Sequence, residues 1–498
     1  MPDVSTQDSF KYRFRLAALC AVLVYVVGVL VVSGPDAKAR SLATGVSVFS
    51  GDPEVAIEAE RIKSAGSKFA LHWLRWDRVA PKDLPDAWDP ADPADSEYDW
   101  TAIDQRVVAS RLAGLVPVLQ IYGAPHWANR CQPEPELFVL ANAPCDPAPA
   151  MLADFAKAAA ERYSGTFGGL PRVKYWQILN EPNLAIFFNP QFNKAGKPAS
   201  PRLYRNILKK AYPAVKAGHQ GNVVIAAGLA PFGQESGLAP LDFARRLFCL
   251  DKRNRPLRPA GPCAGGVKLD AFDMHPYTEG SPDRKSQVPG NVQMGNLGEL
   301  KSLLAAADRA KRIDGAKKRT PLWITEMSWD SKPSDPGGLP MRILTRWTAE
   351  AINRAWRAGV SKFFWYSLRD ASCGGIPCKF TTQSGLYFRG DSIEADRPKR
   401  SLKAFRFPVV AYSKRRGATY WGRTPTSERG RVILQFRRGG GWRQVGRARA
   451  NGNGIFRGFI RSKSLTRKRG QIRAVHQGES SVPFSLKPVK DFYQRVFG

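Results

Sequence analysis

The sequence predicts a (β/α)8 barrel followed by a small antiparallel β-sandwich, on three observations. Eight short apolar runs alternate with amphipathic stretches between residues 44 and 366, no Gly-rich phosphate turn follows an early run, and the composition changes after Asp396-Arg397-Pro398. Parallel strands covered on both faces read as near-continuous apolar runs, and eight strand–helix units in about 350 residues fit a closed barrel with inserted loops. A doubly wound sheet is the rival, but it calls for a phosphate-binding turn that is missing here.

The expected strands are 44–49, 68–73, 116–122, 173–179, 223–228, 271–275, 322–325 and 362–366. Among the helical stretches between them are 53–65, 100–112, 150–163, 201–216, 296–312 and 341–358. Beyond the boundary, the runs 431–436, 442–447, 455–460 and 471–475 alternate in the period of half-buried antiparallel strands. The clusters Gly439-Gly440-Gly441 and Asn451-Gly452-Asn453-Gly454 read as hairpin turns. The expected organisation is a leader over 1–40, a barrel over 41–398 and a basic β-sandwich over 399–498.

A chain of 498 residues is too long for one core, and 43% apolar with 11% aromatic residues excludes global disorder. The net charge is +33, unevenly placed: residues 399–498 hold 25 basic and 3 acidic residues, a surplus of 22. Lys11, Arg13 and Arg15 precede an uncharged run over 16–33, and Ala37-Lys38-Ala39 follows as a small-x-small cleavage site. Whether cut there or kept as a membrane anchor, the segment sends the rest of the chain outside the cytoplasm.

Cysteine use agrees with export. Beyond Cys20, six cysteines fall into three close pairs, Cys131/Cys145, Cys249/Cys263 and Cys373/Cys378. Six thiols allow 15 connectivities, and local closure is the simplest. With no Cys-x-x-Cys and no paired His, neither a metal site nor another cofactor is expected. Nucleic acid is not an expected partner either, because the basic residues sit at alternate strand positions and turns with few aromatics, and the chain is exported.

At the C-terminal mouth of a parallel barrel, strand-end carboxylates are the groups that count. Two stand out: Glu181, in Leu179-Asn180-Glu181-Pro182-Asn183 after the fourth strand, and Glu326, in Ile324-Thr325-Glu326-Met327 after the seventh. Each follows an apolar run, where a carboxylate costs desolvation unless it is paired or reactive.

Asn-Glu-Pro ending strand four and a lone Glu ending strand seven resemble the clan A glycoside hydrolases, retaining enzymes on a (β/α)8 barrel. The likeness runs over about 45–370 and includes Tyr98-Asp99-Trp100, Ala124-Pro125-His126-Trp127-Ala128, His275-Pro276-Tyr277 and Phe364-Trp365-Tyr366. Its closest flavour is family 39, the β-xylosidase and iduronidase type. The resemblance implies Glu181 as acid/base, Glu326 as nucleophile and Asn180 on the sugar 2-hydroxyl. It also implies Tyr277 and His275 beside the nucleophile, with Trp365 and Trp127 as sugar platforms. Asn183 is expected to cap the next element.

Two positions depart from that pattern. Leu71 stands where relatives usually carry an Arg within strand two, with Arg75 as a candidate substitute, and Leu179 stands where relatives often have Trp. The expected function is a secreted or anchored retaining glycosidase acting on oligo- or polysaccharide. The alternative is a non-catalytic glycan-binding or cell-surface protein on a degenerate barrel. The basic C-terminal region would meet an anionic wall polymer or a membrane surface.

Overall fold

The computed structural model describes residues 41–48, 54–132, 142–233, 237–315 and 319–494. The leader over 1–40 and the ends of the first expected strand and helix, Phe49 and Pro53, lie outside the described residues. Eight parallel strands close into a barrel in sequential order. They are β1 Ala43–Val48, β2 Phe69–Arg75, β3 Val116–Tyr122, β4 Tyr175–Ile178, β5 Val223–Leu229, β6 Ala271–Met274, β7 Leu322–Ile324 and β8 Lys362–Tyr366. The ring is completed where Val46 of β1 pairs with Trp365 of β8.

The helices that follow these strands are α1 Val55–Ser64, α2 Thr101–Leu112, α3 Pro149–Arg162, α4 Ser200–Gly218, α5 Pro240–Leu247, α6 Leu297–Arg309, α7 Met341–Ala358 and α8 Arg400–Arg406. α4 shows how the sequence makes them. It has Pro201 in its first turn, where a missing N–H costs nothing, and Tyr204, Ile207, Leu208, Ala211 and Val215 form one buried stripe. α7 stops at Gly359, whose φ of +76° is the left-handed cap that a side chain would resist. α8 lies past the composition change at 398, so the β/α alternation runs on into the strongly basic region.

Strand parity divides the barrel's interior by height. Phe69, Leu71, Val118, Ile225, Trp323 and Phe364 fill the lower layer as one buried apolar cluster. Above it Ser47, Gln120, Gln177, Asp273 and Thr325 form a polar layer. The site stands on that layer.

The C-terminal sheets begin before the first expected alternating run, 431–436. β9 Val409–Lys414 and β10 Gly417–Arg423 come first, then β11 Gly430–Arg437, β12 Arg443–Ala450, β13 Ile455–Arg461 and β14 Gln471–His476. One sheet has the order β9-β10-β13, and the other runs β12-β11-β14 with short edge strands. Inward residues such as Trp421, Phe456, Val432, Leu434 and Ile472 form the shared core. The Gly439-Gly440-Gly441 turn joins β11 to β12, which do pair antiparallel. The Asn451–Gly454 turn is not a hairpin: β12 and β13 belong to different sheets. Asn451 Oδ1 accepts the N–H of Asn453 and of Ile455, so the side chain forms a tight passage between sheets.

After β14 the chain returns to the barrel. Arg346 of α7 donates to the carbonyls of Ser485 and Lys487, and Phe492 meets Trp347 at 6.5 Å. Asp491 accepts the Ser281 N–H at 2.7 Å, Tyr493 donates to Glu279 at 3.1 Å, and Gln494 donates to the Asp330 carbonyl. These contacts fall on the loops after β6 and β7.

The six cysteines bond locally, as Cys131–Cys145, Cys249–Cys263 and Cys373–Cys378, with Cα separations of 5.4, 5.7 and 5.0 Å. Such bonds persist in oxidising compartments. Among the described residues no helix is long and apolar enough to cross a membrane.

Candidate active site

The backbone turns sharply where β4 ends. Leu179 and Glu181 take φ of +61° and +40°, a region that side chains rarely adopt. Glu181 donates its N–H to the Gly228 carbonyl, and Leu179 stays buried in the core beneath. The result is a carboxylate aimed across the mouth from a strained turn. Gln120 donates to Asn180 Oδ1 at 2.9 Å, which fixes the amide with its NH2 turned away from Gln120.

β6 brings the next two groups. His275, fully buried, lies with Nδ1 2.9 Å from Glu181 Oε1 and 3.7 Å from Glu326 Oε2. Its Nε2 is 2.9 Å from Thr325 Oγ1 and 3.3 Å from Asp273 Oδ2. Asp273 in turn accepts the Thr325 N–H at 2.9 Å and the Gln177 amide at 3.0 Å, and the Thr325 hydroxyl donates to it as well. Tyr277 donates its hydroxyl to Glu326 Oε2 at 3.0 Å. One oxygen of Glu181, one of Glu326 and one nitrogen of His275 all lie within 4.8 Å of one another.

This packing leaves no spare volume under the ring of His275. A Cβ placed on Gly228, at φ +59°, would sit 2.6 Å from Gln177 Nε2 and 2.9 Å from both Asp273 Oδ2 and His275 Nε2. Glycine is required there on both counts.

The electrostatics follow from burial and closeness. Burial alone would lower the His275 pKa, but Glu326, Asp273 and Glu181 outweigh it and hold it well above 6.5. Glu326 is raised from 4.5 to about 7, first by burial and then by the Glu181 charge, against the pull of His275 and Tyr277. Burial and the Glu326 charge hold Tyr277 well above 10, so it remains a donor.

A folded-state pKa raised above the unfolded value stabilises the fold below the unfolded pKa, and the gain is lost as pH rises through the folded one. For Glu326 the window is about 4.5 to 7. The expected outcome is a melting temperature that declines from pH 5 to pH 8, with a shallower decline in Glu326→Gln. Thermal scans across that range check it; a variant that declines as steeply as the parent rejects this assignment.

Asn180, Glu181, His275, Tyr277 and Glu326 thus share one buried cluster. Two expected platforms do not join it. On β8, Phe364 and Tyr366 point inward and Trp365 points out, fully buried, donating to the Ser384 carbonyl at 2.7 Å and lying against Trp329 and Phe405. Trp365 is therefore core packing, and Tyr366, which feels the charges of both Glu326 and Glu181, is the inward aromatic of β8. Trp127 sits on the short turn His126–Ala128, with its indole N–H on the Pro81 carbonyl and its ring against Trp76 and Trp88. Those contacts place it in an aromatic cluster of the β2 and β3 loops.

Asn183 accepts the Ala230 N–H and donates to the Leu238 carbonyl, so it pins the loop after β5. Leu71 is buried in the lower barrel layer. Arg75 does not substitute for a strand-two cation: it forms two bonds to Asp77, at 2.7 and 2.6 Å, beside the Tyr122 ring. Among the described residues His275 lies against both carboxylates, 2.9 Å from Glu181 and 3.7 Å from Glu326. Sequence reasoning missed Gln120, Gln177, Asp273 and Tyr366, although a polar residue inside an apolar strand run marks the first three.

The fold and the mouth together define a (β/α)8 barrel with a buried carboxylate pair on β4 and β7. Among solved structures, the chain is similar to a family 39 glycoside hydrolase from the gut symbiont Bacteroides cellulosilyticus WH2, at 18% identity over 85% of this chain and 80% of that one, with a TM-score of 0.50. It is also similar to the GH39 enzyme from Xanthomonas axonopodis pv. citri, at 15% identity over 85% of this chain and 94% of that one, with a TM-score of 0.49. At such identity the first likeness speaks for the fold. No family model matches the sequence, and no curated protein matches it.

Proposed function

We propose that the chain is an exported glycosidase that cleaves O-glycosidic bonds with retention. The observation that carries this reading is the approach of Glu181 and Glu326 oxygens to within 4.8 Å. Retaining pairs stand about 5–5.5 Å apart, whereas inverting pairs leave roughly 6.5–9.5 Å for a water. In the first step Glu181 gives its proton to the leaving oxygen as the bond to the anomeric carbon breaks and Glu326 forms a bond to that carbon. In the second, Glu181 takes a proton from water, which attacks the anomeric carbon and releases Glu326. The step needs Glu326 ionised, and the hydroxyl that Tyr277 donates to it favours the ionised form. The Asn180 amide is placed to meet a sugar 2-hydroxyl, a contact that strengthens in an oxocarbenium-like transition state.

Export rests on the uncharged run over 16–33 and the three disulfides, which suit a compartment outside the cytoplasm. Proton NMR of the first product formed from an aryl glycoside is the test. The expected result is an anomer of the substrate's own configuration; the opposite anomer overturns retention. A second reading, glycan binding without cleavage, is favoured by Leu71 and by the engagement of Arg75 with Asp77. Binding of oligosaccharide without turnover on any aryl glycoside would establish that reading instead.

A further inference from the structure

The outer face of the β12-β11-β14 sheet carries a ladder of arginines. Val432, Leu434 and Phe436 of β11 are buried, so Arg431 and Arg437 project to solvent on the other face. Arg431 lies directly across from Arg449 of β12, and Ile433 from Arg447. Gln435 lies across from Arg473 of β14. Among the described residues no carboxylate is within ion-pair distance of these five arginines. Two of the region's three acids are engaged elsewhere, Glu479 with Arg406 and Asp491 with Arg284. Like charges directly opposite each other on a sheet are destabilising, so Arg431 and Arg449 weaken the fold they belong to.

The guanidinium groups are also oriented. Arg473 donates Nε to Gln435 at 2.7 Å and Arg437 donates Nε to Gln471 at 2.9 Å. Both lie over the ring of Trp442, at 4.3 and 4.6 Å from its centre. The Nε bond and the stacking leave the terminal N–H groups of each guanidinium facing outward in the fork that fits a carboxylate, sulfate or phosphate.

We infer that this face is a docking surface for a linear polyanionic polysaccharide, lying along the strands so that successive anions meet successive guanidinium groups. Among the described residues the one aromatic on the face, Trp442, is half-buried and already covered by two cations. It offers no ring for stacking bases and no apolar wedge for a bilayer. The choice of a glycan among polyanions rests on the glycosidase reading; the charge pattern does not.

The test is binding of the full chain to polygalacturonate, to a neutral dextran, to vesicles of 30% phosphatidylserine in phosphatidylcholine, and to a single-stranded oligonucleotide. The expected result is binding to polygalacturonate alone, falling steeply between 50 and 200 mM salt. Arg437→Gln/Arg473→Gln should weaken it about tenfold. Arg431→Gln should weaken it too while holding or raising the melting temperature, a split that a structural role would not give. Glu326→Gln should bind as the parent does, which separates failure of the barrel chemistry from failure of this face. Binding unchanged in the Arg437→Gln/Arg473→Gln variant overturns the proposal, as does tighter binding to vesicles or oligonucleotide than to polygalacturonate.

Discussion

Glu326→Gln is expected to lose turnover by about 10⁴-fold or more on an aryl glycoside, because in the proposed mechanism the amide cannot form the bond to the anomeric carbon on which both steps depend. Its fold does not suffer. Burial and the neighbouring Glu181 charge work against the ionised side chain, and the neutral isostere still accepts from Tyr277. The melting temperature at pH 8 is therefore expected to hold or rise as activity vanishes. Glu181→Gln behaves differently. It should lose about 10²–10⁴-fold on a phenyl glycoside, whose departing oxygen needs a proton. On a dinitrophenyl glycoside, whose oxygen leaves unaided, the first step should survive and a slowly hydrolysed intermediate should accumulate. Steady-state rates with both leaving groups check the assignment; equal losses for both substrates in both variants would remove the division of roles.

Lys399→Ala is the most damaging single change expected for stability. Lys399 at the start of α8 and Asp370 in the loop after β8 pair at 2.5 Å with both side chains essentially without solvent. Lys399 also donates to the Gln383 carbonyl at 2.9 Å, and Asp370 accepts the Gly385 N–H. Burial raises the Asp370 pKa and lowers that of Lys399, each against its charged form, and the partner's charge opposes both shifts. Removing the cation strands a buried carboxylate, at a cost of about 3–5 kcal/mol. The double variant Lys399→Met/Asp370→Asn should recover most of that loss, because no unpaired charge remains. Denaturant midpoints for the three proteins check this. A single variant within about 1 kcal/mol of the parent would show that the pair is not what closes this corner of the barrel.

The legible parts of this molecule are those where one physical signal acts alone. β3 and β8 fall on the residues that their apolar runs mark, because a strand buried on both faces has no other composition open to it. β9 and β10 escape the reading because their turn is Arg415-Arg416, without the Gly, Asn or Pro that mark hairpins. The strand-end glutamates are legible from position. Which of two adjacent aromatics faces inward is not: Trp365 and Tyr366 differ only in parity, and parity is set by the register of β8 against β1. The approach of His275 to both glutamates is equally hidden, since it is a distance across the barrel.

The return of residues 484–494 to the barrel carries a consequence in time. β6 and Tyr277 leave the ribosome some 200 residues before Asp491 and Tyr493, yet the loop from Thr278 to Arg284 is held by those late residues. A chain made from its N-terminus therefore presents eight strands and both glutamates before the contacts of Asp491 and Tyr493 can form. The bonds to Ser281 and Glu279 are thus among the latest in synthesis to form at the barrel mouth, where Trp329 and Gln293 already hold Thr278, Gly280 and Glu279.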